Sequence, residues 1–106
     1  MKLEDTIGKY YYLRDYDILG GRVNKVLNMV IHVDRFIEEK GLAECSCYLF
    51  TRKTDDNHLH CYIGNIYEDF KGVEKYEEFR EISAEEYQRI ADRLLKLCNS
   101  IDDQSK

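Results

Sequence analysis

At 106 residues, 43% hydrophobic and 35% charged, the chain fits one folded domain with a single core rather than a disordered segment. No apolar run approaches the ~18 residues of a membrane span, and MKLEDTIGKY lacks the basic stretch and apolar core of a signal peptide, so a reducing, cytoplasmic setting is expected. Residues 1–53 carry nine Lys/Arg against eight Asp/Glu and residues 54–106 seven against thirteen, for a formal charge of −5, which argues against a general nucleic-acid binder.

In chain order, IGKYYYLRDYDI (7–18) is dense in aromatic residues without helical spacing and predicts a strand over Lys9–Asp15. Gly20-Gly21 then interrupts the chain. From Arg22 to Lys40, Val23, Val26, Leu27, Val30, Val33 and Ile37 recur at helical spacing. Met29, Ile31 and Phe36 widen this apolar stripe past half the circumference, so the expected helix has contacts on more than one side. Asn24, Asn28, His32, Arg35 and Glu39 form its opposite face, and Gly41 is a natural stop. Asp34 falls inside the apolar arc. Either the helix leaves the core there and Asp34 reaches water, or a buried carboxylate has a partner.

Strands over Glu44–Arg52 and His58–Tyr67 flank the turn-forming run Thr54-Asp55-Asp56-Asn57, the pattern of a β-hairpin. A short further strand is expected around Phe79–Ile82. Ser83-Ala84-Glu85-Glu86 reads as a capping box opening a helix to about Cys98, with Tyr87, Ile90, Ala91, Leu94, Leu97 and Cys98 on one face. The elements thus run β-α-β-β-(β)-α. They describe a small α+β domain, 1–98, with an antiparallel sheet and two amphipathic helices, and a flexible tail, 99–106.

The hairpin holds most of the reactive side chains: Cys45, Cys47, His58, His60 and Cys61. A four-residue turn pairs Lys53 with His58, Thr51 with His60 and Cys47 with Gly64. His60 then lies about 13 Å along the ladder from Cys47, at ~3.4 Å per residue, whereas zinc ligands sit within about 2.3 Å of one ion. Cys61 also faces away from His58 and His60. No metal or cofactor is expected. The four cysteines could pair as two disulfides in three ways, but without an export signal they read as buried thiols serving as small core residues. Both hairpin faces are apolar: Cys45, Cys47, Leu49, Tyr62 and Ile66 on one, Tyr48, Phe50, Leu59, Cys61, Ile63 and Tyr67 on the other. A half-solvated hairpin alternates more cleanly, so each face needs a cover: a helix, a second copy or a target.

Catalysis finds little support. No thiol shares a face and position with a histidine, and phosphate-loop, His-Glu-x-x-His and Gly-x-Ser-x-Gly motifs are missing. A sheet bearing Tyr10, Tyr12, Tyr48 and Tyr62 beside Arg14, Arg52 and Lys53 offers a weaker RNA-stacking alternative. Nine tyrosines beside no tryptophan supply contact area instead. The acidic stretch Tyr67, Glu68, Asp69, Phe70, Glu74, Tyr76, Glu77 and Glu78 is the candidate surface for a protein partner, its carboxylates matching Lys/Arg that would otherwise hold nucleic acid. The competing reading of that stretch is a solvated loop.

In size and acidity over its whole length, though by no single motif, the chain resembles small accessory and inhibitor proteins of bacterial mobile elements, immunity and anti-CRISPR proteins among them. The resemblance implies a non-enzymatic inhibitor that occludes a basic, nucleic-acid-handling partner such as a nuclease. The alternative is a homodimer or larger homo-oligomer joined through a free strand edge or through the second apolar face of the hairpin.

Overall fold

The computed structural model describes residues 2–19, 22–53 and 59–104. The Gly20-Gly21 break, the turn Thr54–Asn57 and His58 lie outside these. Five strands make one antiparallel sheet: β1 (Tyr10–Leu19), β2 (Arg22–Ile37), β3 (Leu42–Lys53), β4 (Leu59–Glu68) and β5 (Glu78–Ile82). Their spatial order is β4-β3-β2-β1-β5. One helix among the described residues, α1 (Ala84–Gln104), follows β5 and runs past the expected end at Cys98. The α+β class stands, but the second helix does not.

The correction falls on Arg22–Lys40, which is strand through Ile37. Its width of apolar surface was the symptom. β2 lies centrally, paired with β1 and β3, and is covered on both faces, so its residues need not alternate with polar ones. Leu27, Met29, Ile31 and Val33 point to one face and Val26 and Val30 to the other. Such a run imitates a broad helical stripe, while its β-branched content suits the pleat better. Gly41, with φ of +63°, ends a hairpin turn between β2 and β3 rather than a helix; the two structures ask for the same left-handed residue. Asp34 sits where the β2–β3 register shifts between Val33 and Arg35. It is exposed, accepts a hydrogen bond from Ser46 Oγ at 2.6 Å and meets His32 Nδ1 at 2.7 Å.

The expected hairpin register is present: Thr51 pairs with His60, Leu49 with Tyr62, Cys47 with Gly64 and Cys45 with Ile66. α1 lies on the face that carries Val30, Tyr48, Phe50 and Cys61, burying Tyr87, Ala91 and Leu94 there. The Glu86 N–H donates to Ser83 Oγ at 3.0 Å, as a capping residue requires. The Glu86 carboxylate, instead of closing the box, accepts from Arg80 at 3.0 Å.

The opposite face holds Tyr11, Leu13, Met29, Ile31, Val33, Cys45 and Cys47. β4 and β5 lie at opposite edges, so the connection between them, residues 69–77, crosses this face as a strap. Phe70 is 5% exposed, and its ring lies 5.6 Å from Tyr11 and 6.1 Å from Phe79. Val73 and Tyr76 pack beside it, and Leu3 from a 3-10 turn at Leu3–Thr6 adds to the cover.

Candidate functional site

The hairpin cysteines divide between the two faces. Cys45 and Cys47 are buried free thiols under the strap. Burial pushes both up to about 12, with Asp34 and Glu68 adding to the rise at Cys45. A thiol held so far above its usual range is neutral and unreactive. Cys61 and Cys98 correct the buried-thiol expectation, for they form a disulfide with Cα atoms 5.6 Å apart, joining β4 to α1. The sequence places Cys98 on the apolar face of its helix and Cys61 on an apolar face of the hairpin with its cover left open, and does not give their bond. Among the described residues, no three His, Cys, Asp or Glu side chains are arranged to hold a metal ion.

Sequence reasoning missed the meeting of His32, Asp34 and Ser46. They sit beside Tyr10, whose ring stacks on His32 at 4.5 Å. The order of contacts differs from that of a nucleophilic triad. The Ser46 hydroxyl donates to the carboxylate, not to the imidazole, so the histidine is not placed to take its proton. The trio anchors the β2 irregularity to β3.

The acidic stretch also divides. Phe70, expected to be a contact residue, belongs to the core instead. Its backbone is left-handed, φ +59°, a conformation that costs a side-chain-bearing residue roughly 1–2 kcal/mol. Glu68 offsets part of that cost by accepting the N–H groups of Asp69 at 3.2 Å and Phe70 at 3.1 Å. Asp69 accepts the Lys71 N–H at 2.8 Å, and Glu78 pairs with Arg80 at 2.9 Å. Tyr76 is half-buried, and that burial raises its phenol above the usual range. Tyr67, Glu74 and Glu77 remain exposed. The stretch is therefore first a strap that shapes itself, and only at those three positions an open surface.

The open apolar surface lies next to it, on β4. This edge strand runs for ten residues in unbroken register with β3, while its other side has no strand partner among the described residues. LHCYIGNIYE contains no Lys, Arg or Pro, the residues with which sheet proteins usually blunt an edge. Tyr62, Ile63 and Tyr67 are 42%, 47% and 54% exposed, projecting to both sides of the strand. The Tyr62 hydroxyl reaches along the strand to donate to the Asn65 carbonyl at 2.8 Å. Its ring lies against Gly64, where an added Cβ would meet the hydroxyl at 2.8 Å. Lys40 approaches the Tyr67 ring to 5.9 Å. Comparison with family models, curated proteins and solved structures finds no match to this chain.

Proposed function

We propose that the chain is a non-enzymatic binding domain that occludes a partner protein by pairing along the free edge of β4. One observation carries the reading: an unprotected, regular, ten-residue edge strand flanked by exposed Tyr62, Ile63 and Tyr67. Strand addition supplies main-chain hydrogen bonds, while side chains on alternate sides of the edge supply selectivity. Tyr67 stands where this edge runs into the acidic strap, whose exposed Glu74 and Glu77 lie on its way to β5 at the opposite edge, so only a partner that spans the strap face also meets them. A basic partner of the nucleic-acid-handling kind suits that charge.

Ile63→Lys places a charge on the edge without touching the core. The edge variant and the wild-type chain are used in parallel as bait in host extract. A protein retained by the wild type and lost by the variant supports the reading, and Glu74→Lys with Glu77→Lys should flatten the salt dependence of its binding. Equal retention by Ile63→Lys would sink the edge assignment. A second reading, a homodimer built by β4 pairing with β4 of another copy, is favoured by the same bare edge. It predicts a doubled mass in light scattering that Ile63→Lys returns to the monomer.

A further inference from the structure

Away from the β4 edge, α1 leaves part of its face of the sheet open. Between the helix and β1–β3 lies a cleft of about 580 Å³, within the range of small-ligand sites. Its floor is apolar, from Phe50, Ile90 and Leu94, and its rim carries Arg80, Arg89 and Arg93 against one carboxylate, Glu86. A surplus of guanidinium groups in one cleft runs against the −5 charge of the chain.

The three arginines are not equivalent. Arg80 is committed: it bonds Glu78 and Glu86 and lies 5.2 Å over the Tyr12 ring. It neutralises the local carboxylates and stiffens the wall. Arg89 and Arg93 stand four residues apart on one helix flank, where like charges repel. Among the described residues neither has an ion-pair partner. Behind the cleft, Arg14 pairs in register with Asn28, and its buried Nε–H has no acceptor. Tyr12 donates to Asn28 Oδ1 at 3.0 Å, which leaves the Asn28 amide N–H groups as donors. Cationic and neutral donors thus collect around an apolar floor, where the one lining carboxylate, Glu86, is already engaged by Arg80; Glu85 and Asp92 adjoin Arg89 and Arg93 on the outer side of the helix.

We propose that this cleft binds an organic phosphate of mononucleotide size, the phosphate held between Arg89 and Arg93 and the organic body resting on Phe50, Ile90 and Leu94. Guanidinium forks match phosphate oxygens in pairs, and an anion relieves the Arg89–Arg93 repulsion. The site is independent of the β4 edge, so either assignment can fail alone.

Calorimetric titration of the full chain with AMP, adenosine and inorganic phosphate tests it. AMP should bind at least tenfold more tightly than either of the others. Arg89→Gln with Arg93→Gln should weaken AMP by tenfold or more without lowering the thermal midpoint, both side chains being exposed. Lys71→Gln, exposed on the strap across the sheet, should leave the affinity unchanged. Failure of AMP to bind, equal binding of adenosine, or indifference to the double variant would overturn the site. Tighter binding of an eight-residue oligonucleotide than of AMP, with the same Arg89 and Arg93 dependence, would overturn the small-ligand assignment and give the phosphate chemistry to a strand.

Discussion

On one face of the sheet a helix of 21 residues closes the core, and a disulfide holds its far half to β4. On the other face the 69–77 strap does the same work around a single ring, Phe70. The helix supplies its own backbone hydrogen bonds and brings Tyr87, Ala91 and Leu94 in at regular spacing. The strap has no such repeat. It depends on the carboxylates of Glu68 and Asp69 to hold its turns and on a left-handed Phe70 to point inward. A cover built on a repeat spreads its stability over many residues, whereas a cover built on a turn concentrates it in one or two.

That contrast is broken most directly at Phe70. Phe70→Ala removes the ring packed against Tyr11 and Phe79 and keeps the unfavourable backbone, so it should cost about 3–5 kcal/mol in urea unfolding. Ala91→Gly, an equally buried site on α1, should cost closer to 1 kcal/mol, roughly the helix-propensity difference. Equal losses would mean the strap is no more concentrated than the helix.

The disulfide sharpens the other side. Cys61 and Cys98 are 37 residues apart, and closing a loop of that size constrains the unfolded chain by about 3–4 kcal/mol. Unfolding with and without reductant should differ by that amount, and Cys61→Ser with Cys98→Ser should remove the difference. Four titratable thiols in the unreduced, denatured chain would contradict the bond outright.

The same contrast decides what was legible in the sequence. α1 was readable because its signals are local: Ser83 at the cap, then apolar residues every third or fourth position. The β3–β4 register was readable because few residues separate the two runs and their alternation allows one alignment. β2 was misread because a strand buried on both faces loses the alternation that identifies strands, and Val26, Val30 and Val33 happen to fit a helical stripe as well. The strap was flagged by its charge, but its inward residues, Phe70, Val73 and Tyr76, follow no period that marks them as core. Pairing of Cys61 with Cys98 depends on which elements stack, which spacing along the chain does not encode. The β4 edge needed the strand order, and only once β5 is found on the far side of β1 does β4 become an edge.

Reductant acts on the helix face, and alkali should act first on the strap face. Cys45 and Cys47 are raised from 9.0 to about 12 in the folded protein, and Tyr87 on the buried face of α1 from 10.0 to about 12. Below pH 9 each thiol is protonated in both states, and its contribution to stability is fully present. As pH rises past 9 the unfolded chain releases thiol protons that the folded one retains, so stability falls, and it continues to fall until about pH 12. Between pH 9 and 10 each thiol should cost about 1 kcal/mol, and Tyr11, Tyr12, Tyr76 and Tyr87, all raised by burial, begin to add to the fall. Cys47→Ala has its own packing cost at every pH, so the readout is the slope: over that unit of pH the variant should lose about 1 kcal/mol less than the wild type. An unchanged slope would mean that water reaches Cys47 beneath the strap, and that Phe70 does not seal the face it covers.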